Sequence, residues 1–450
     1  MIAEPFDSRL PDVCGYDRPV PFRLRRPFQE FFTTEAAGGL LLLVCACAAL
    51  AAANSPWADA YHRLWAAPIT VAIAGHELSL SIHDWINDGL MALFFLLVGL
   101  EIKREALSGE LASPRQAALP IAAAAGGMVV PAIIYVLASG SGPAARGWAI
   151  PMATDIAFAL GALTLAAPRA PAGLKVFLAA LAIADDIGAV LVIAFFYAGT
   201  IVWHAAALAG VCVAALAALN VCRVRMLLPY LLTGVLLWFF VHESGVHATM
   251  AGILLALAIP VRTHIDASDY SRLARGLVDE FDRAESGDFR VLTSKGQQEA
   301  IFAIGHANLQ VLAPLLRLEQ PLHGLSAYFV MPLFAFANAG VTLAGLSLDR
   351  VTLAVFLGLV IGKPLGITGA AFAAVRSRAA ALPDGVTWRM LAGCGYLGGI
   401  GFTMSLFIAM LAFEGSPLLD SAKVGILTAS ISAGIVGTIA TRRELHRHSA

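Results

Sequence analysis

The chain has 450 residues, 59% of them hydrophobic and only 14% charged, against about 25% charged in a soluble domain. With a mean hydropathy of +0.77 and a net charge of −1, it is no ordinary soluble fold and has no basic surplus for nucleic acid. A polytopic membrane protein remains.

Residues 1–34 carry Pro5, Pro11, Pro19, Pro21 and Pro27 among scattered charges and read as an N-terminal tail. The first apolar run begins near Ala36, too far along for a secretory signal. Twelve runs follow, at 36–53, 85–102, 117–138, 148–166, 174–198, 203–221, 227–241, 246–261, 325–345, 351–375, 389–413 and 421–440. They predict an all-α polytopic protein of about twelve transmembrane helices over 35–441, with a short C-terminal tail at 442–450. Ile69–Ser81 alternates weakly around Gly75-His76, which suggests an external hairpin. The segment 263–324 is one long polar loop of mixed charge with helical stretches, notably Gln298–Leu316. It reads as an amphipathic cytoplasmic insertion or as a regulatory element. The six cysteines lie in apolar runs or the tail, without zinc-site spacing or an external partner, so no disulfide is expected.

Lysine and arginine fix the orientation. With the N-terminus inside, 25 of the 30 basic residues fall in cytoplasmic segments and three outside (Arg63, Arg146, Arg350), while Lys363 and Lys423 lie within runs. The positive-inside rule therefore puts both termini in the cytoplasm.

Asp185 and Asp186 sit at the centre of the run 174–198, where each charge costs roughly 2.5–3.5 kcal/mol on insertion scales. Adjacent helix residues point about 100° apart, so the two acids cannot serve one site identically. Either they are locked in salt bridges, or they mark an ion or proton pathway. A third acid, Asp155, follows Pro151 and Thr154 in the middle of 148–166. The proline frees a carbonyl and can break the helix, which at membrane depth is tolerated only inside protein or along a wet cavity. Lys363 lies at the centre of 351–375, in Gly362-Lys363-Pro364, and needs an acid: Asp185, Asp186 or Asp155. The next run centres on Gly398, Gly399 and Gly401, followed by Thr403 and Ser405. Three glycines in four residues favour either close helix packing or an unwound centre. The trio 117–198 starts inside and the trio 351–440 outside, each with one interruptible member. That is the pattern of inverted repeats with interrupted helices at a midplane site.

Seven motifs in order then resemble the bacterial NhaA sodium/proton antiporter family: Phe94–Glu101, Ala153–Ala159, Ala184–Ala189, Ser244–Thr249, Pro332–Gly340, Gly362–Gly366 and Gly399–Ser405. The resemblance covers about Phe31 to Thr441. It implies two interrupted helices that cross, with Asp186 the main cation ligand, Asp185 its partner in proton exchange, and Lys363 the ion-pair partner of Asp185. It implies that Asp155 offsets the positive half-helix ends and Lys363 the negative ones. Glu101, Arg104, Glu105, Glu319 and His323 match positions tied to pH sensing near the cytoplasmic mouth, and His247 a further pH-linked histidine. Read alone, Glu101–Glu105 would be a charged helix end and His247 a packed histidine. Gln320 stands where the family commonly has a second histidine, and the tail and the enlarged 263–316 segment have no counterpart in the shortest family pattern.

The function implied is electrogenic, pH-regulated exchange of cytoplasmic Na+ or Li+ for external H+ across the bacterial inner membrane. No cofactor is implied beyond the transported ions. The partners are the lipid bilayer, Na+, Li+ and H+, and a homodimer is left open. The rival is a sodium-coupled organic-anion symporter on similar broken helices, which would want a roomier cavity. A membrane enzyme is disfavoured because the acids are adjacent, at midspan, and lack a basic diphosphate clamp.

Overall fold

The computed structural model describes residues 27–449 apart from 74–75, 198, 264, 285–293 and 343–348. The tail at 1–26, the turn at Ala74-Gly75, the middle of the long loop, the outer end of the ninth run and Ala450 lie outside the described residues.

The chain is helical, with one two-stranded exception. Helix α1 (Pro27–Ala53) meets α2 (Ala58–Ala66) at a bend of 113°. Strands β1 (Pro68–Ile73) and β2 (His76–Ser81) then pair antiparallel, Pro68 opposite Ser81 and Ile73 opposite His76, where the alternation predicted a hairpin. There follow α3 (Ile82–Ser108), α4 (Pro114–Ser139), the 3₁₀ segment α5 (Pro143–Met152), α6 (Ile156–Ala166), α7 (Ala172–Phe196), α8 (Trp203–Val221), α9 (Leu227–Glu243) and α10 (Met250–Ala258). The long loop folds into α11 (Ala267–Arg283) and α12 (Lys295–Val311). The last part holds α13 (Pro314–Asn338), α14 (Arg350–Arg376), α15 (Trp388–Gly398), α16 (Phe402–Phe413) and α17 (Leu418–Ser449).

Among the described residues six helices are long and apolar enough to cross a bilayer, or ten if each bent pair counts as one span. All twelve predicted runs contain helix, but not all are full spans. The run 246–261 forms only the nine residues of α10, about 13 Å at 1.5 Å per residue, less than half the hydrocarbon thickness. Gly245, with φ +78°, and Pro260 bracket it. A Cβ at Gly245 would stand 2.3 Å from the Thr200 carbonyl oxygen, so no other residue could make that turn.

Three boundaries differ from the hydropathy reading. Helix α1 starts at Pro27 rather than 36, and α17 continues through Ser449 rather than ending near 440. A helix need not stop where the hydrocarbon does, and nothing between Pro27 and Ala36 breaks it. The third matters more. Helix α13 begins at Pro314, within the segment assigned to the loop, so Glu319 and His323 stand on this helix. Pro314 occupies the first helical turn, where its missing N–H costs nothing.

The core has two parts. The larger gathers residues of α5, α6, α7, α14, α15, α16 and α17. The smaller joins α8, α9 and α10. Helix α3 serves both, with Met91, Phe95 and Val98 in the larger and Leu96 and Leu100 in the smaller. Outward-facing side chains such as Leu137, Phe195, Val221 and Ile431 remain exposed, as a lipid-facing surface requires. Helix α14 packs tightly on α4 where Gly126 meets Gly366: a Cβ on either would lie within 2.2 Å of the other's carbonyl oxygen.

Candidate functional site at the helix crossing

The two interrupted helices meet at their breaks. Helices α5 and α6 bend by 43° around 153–155, and α15 and α16 by 45° around 399–401. Five hydrogen bonds tie the breaks together. The Ser405 hydroxyl donates to the Ile150 carbonyl at 2.8 Å, the Thr154 hydroxyl to the Gly398 carbonyl at 2.8 Å, and the Asp155 amide to the Ile400 carbonyl at 2.7 Å. The other two run from the Thr403 amide and hydroxyl to Asp155. Ile150 meets Ser405 while Thr154 meets Gly398, so the two segments run in opposite directions. Gly401 permits this approach, since a Cβ there would lie 3.1 Å from the Ala153 carbonyl oxygen of the other break, and Gly399 lets α14 come close, since a Cβ there would lie 2.5 Å from the Leu359 carbonyl oxygen.

Asp155 joins both half-helix starts. Its Oδ1 caps α6 by accepting from the Phe158 amide at 3.1 Å. Its Oδ2 accepts from the Thr403 amide, also at 3.1 Å, and from the Thr403 hydroxyl, at the start of α16. One buried carboxylate thus sits against two helix N-termini, whose unpaired amides and dipoles favour negative charge. At the opposite pole, Lys363 donates to the carbonyl of Met152, the last residue of α5. A π-helical turn at Gly358–Gly362 precedes Lys363.

Asp185 and Asp186 on α7 are both buried, and their environments differ. Asp185 Oδ2 forms an ion pair and hydrogen bond with Lys363, the one acid chosen from three. Asp186 lines a cavity of about 40 Å³ together with Thr154, Asp155, Glu101 and His323. At roughly 10–15 Å³ of such volume per water, it has room for about three. Oδ1 of each acid is buried without a hydrogen-bond partner. Buried polar atoms are normally satisfied, and carboxylate lone pairs of this kind can accept a proton or a hard cation. Among the described residues no cluster of three or more His, Cys, Asp or Glu side chains of the kind that holds a resident metal is found.

Two of the residues matched to pH sensing, Glu101 and His323, line the same cavity. Glu101 Oε1 lies 3.7 Å from His323 Nδ1. Arg104 pairs with Glu319 and, at 3.2 Å, with Glu105. The structure therefore brings Glu101 and His323 to the cavity that Asp186 lines, and puts Arg104, Glu105 and Glu319 beside them. His247 is not brought there. Its Nε2 lies 3.7 Å from Asp88, its Nδ1 2.8 Å from the Thr249 hydroxyl, and its ring meets Phe407 edge-on at 5.2 Å.

Sequence reasoning missed the polar groups around it. His242 Nδ1 also approaches Asp88, at 3.6 Å. Nearby, His83 Nε2 lies 2.9 Å from Asn338 Oδ1, and the Asn338 amide donates to Asn87 at 2.9 Å. Asn87 and Asp88 stand two and three residues into the run 85–102, where two polar residues were the available signal.

Antiparallel broken helices that cross at a buried carboxylate, with a second carboxylate open to a small cavity, define a membrane protein of the ion-transporter class. The chain belongs to the Na+/H+ antiporter 1 family, whose model matches residues 29–441. It is 48% identical over 424 residues to the Na+/H+ antiporter NhaA of Oleidesulfovibrio alaskensis, covering 93% of this chain and 94% of that one. It is 47% identical over 444 residues to that of Koribacter versatilis (97% and 95%), and 46% identical over 418 residues to that of Helicobacter pylori strain G27 (91% and 94%). These relatives are named as antiporters, not enzymes, and nothing among them supports the organic-anion symporter, for which a cavity of a few waters is also too small.

Proposed function

We propose that this protein exchanges cytoplasmic Na+ or Li+ for external H+ in the bacterial inner membrane, with both termini in the cytoplasm. The carrying observation is the division between neighbours: Lys363 holds Asp185, while Asp186 lines the cavity. Sodium is a hard cation that suits oxygen ligands, and protonation removes the charge that attracts it. Asp186 is the principal ligand, with Thr154 beside it in the cavity. Asp185 takes part in proton exchange by trading Lys363 for a proton. These groups titrate together and not as private sites.

Two protons per sodium make the exchange electrogenic, so a membrane potential drives sodium out at about 2.3 kcal/mol per charge per 100 mV. Alternating access then rocks the crossed helices, linked by Asp155, against the remaining helices. The group Glu101, Arg104, Glu105, Glu319 and His323 sets the pH response at the cytoplasmic end.

The test uses everted vesicles loaded with acridine orange. Adding Na+ or Li+ should restore fluorescence in the parent protein and not in Asp186→Asn. Near-normal dequenching by Asp186→Asn at saturating sodium would overturn the assignment.

A further inference from the structure

The long-loop helices play no part in the exchange site. Helix α12 packs against α11 through its small residues: Ala300 and Ala307 are buried, and the Tyr270 hydroxyl meets Asn308 Oδ1 at 2.5 Å. Its other side carries Phe302, 76% exposed, with Ile301 and Leu309 also exposed. At about 100° per residue, Ile301, Gly305 and Leu309 form one stripe with Phe302 at its edge, roughly opposite Ala300 and Ala307. Nothing lies within 4 Å of a Cβ built at Gly305, so α11 leaves this stripe uncovered.

The chain's path says what covers it. Only Leu312 and Ala313 separate α12 from α13, and the two axes meet at 99°. A spanning helix tilts about 20° from the membrane normal on average, so α12 runs close to the membrane plane, level with the start of α13. Farther along α13, Leu325, Tyr328 and Phe329 are exposed on its lipid-facing surface. The helix that carries the apolar stripe thus ends two residues short of one whose outer surface, farther on, faces lipid. Lys295, Glu299 and His306 fall outside the stripe and balance in charge, so burial of apolar side chains, more than attraction to anionic headgroups, holds such a helix at the surface.

We propose that α12 is an interfacial helix that seats Ile301, Phe302 and Leu309 in the lipid surface beside the start of α13, with α11 covering its opposite side. The insertion then braces the first turns of α13, which carry Glu319 and His323, against the bilayer.

The test is photocrosslinking of the full-length protein in phospholipid vesicles. A benzophenone amino acid replaces Phe302 in one variant, Leu309 in a second and Glu299 in a third, and only chains that elute as the parent does are irradiated. Intact-mass measurement should find phospholipid adducts at 302 and 309 several-fold more abundant than at 299. Equal and low adducts at all three positions would mean the stripe lies in water and overturn the proposal. So would crosslinks at 302 and 309 to a second copy of the chain or to another polypeptide.

Discussion

Two groups of ionisable side chains each lend members to the lining of one cavity, Asp155 and Asp186 from one and Glu101 and His323 from the other, and they are built in opposite ways. At the crossing, Asp155, Asp185 and Lys363 are each about 1% exposed, and their partners come from other helices fixed by tight backbone approach. In the other group, the Arg104 side chain is 35% exposed and Glu105 18%, and Glu101 stands 3.7 Å from His323. The same residue types are therefore locked in one place and adjustable in the other. A locked buried charge must have a partner or change protonation state, which suits an exchange site. A partly exposed charge such as Arg104, which shares two acids, loses less when rearranged, which suits a response to pH.

The largest expected effect is in the locked group. Asp186→Asn should leave folding intact and reduce sodium-driven proton movement to background, measured by dequenching in everted vesicles. Lys363→Ala should come next. It strands Asp185 without its cation, and breaking a buried pair costs about 3–5 kcal/mol. A large fall in melting temperature in detergent, together with a displaced pH–activity profile, checks this. An unchanged melting curve would remove Lys363 from the locked group.

Effects in the adjustable group should be smaller and different in kind. Glu319→Gln removes the Arg104 partner on α13 but leaves Arg104 paired with Glu105, so the pH–activity profile should move while maximal exchange persists. If Glu319→Gln abolished exchange at every pH, the two groups would not be separable.

The smallest effect is a control outside both groups. Asp349 caps α14 by accepting from the Thr352 amide at 2.9 Å and hydroxyl at 3.1 Å. Partial burial acts to raise its carboxyl, but hydrogen bonds, chiefly from Thr352, outweigh it and hold the group below its ordinary value. Its contribution is therefore complete above the ordinary carboxylate range and lost as pH falls through the lowered value. Asp349→Ala should cost about 1 kcal/mol at neutral pH, with no shift in the exchange profile, as read from melting curves across pH.

Much of this contrast was legible in the sequence. Charges inside apolar runs identified Asp155, Asp185, Asp186 and Lys363, because the bilayer makes each of them costly. Glycine and proline inside runs located both interruptions. The choice of Asp185 as the partner of Lys363 was not legible from residues alone, since three acids at similar depth competed and only the family resemblance separated them. Nor was the double use of Asp155. It depends on Thr403, 248 positions away, and on an antiparallel crossing that no local pattern encodes. Hydropathy also overstated the run around α10, where apolar residues continue although Gly245 and Pro260 stop the helix. It understated α13, where polar side chains ride on a helix that has already begun. The Asn87–His83–Asn338 contacts escaped notice because they join distant segments, each of which looks like a span edge.

If sodium and protons compete for one group of carboxylates, binding the first must release the second. Titrating purified protein with Na+ by calorimetry, in buffers of different ionisation enthalpy, measures the protons released per sodium bound. Competition predicts proton release in the parent protein and neither sodium binding nor proton release in Asp186→Asn. Sodium binding to the parent with no proton released at any pH would contradict it.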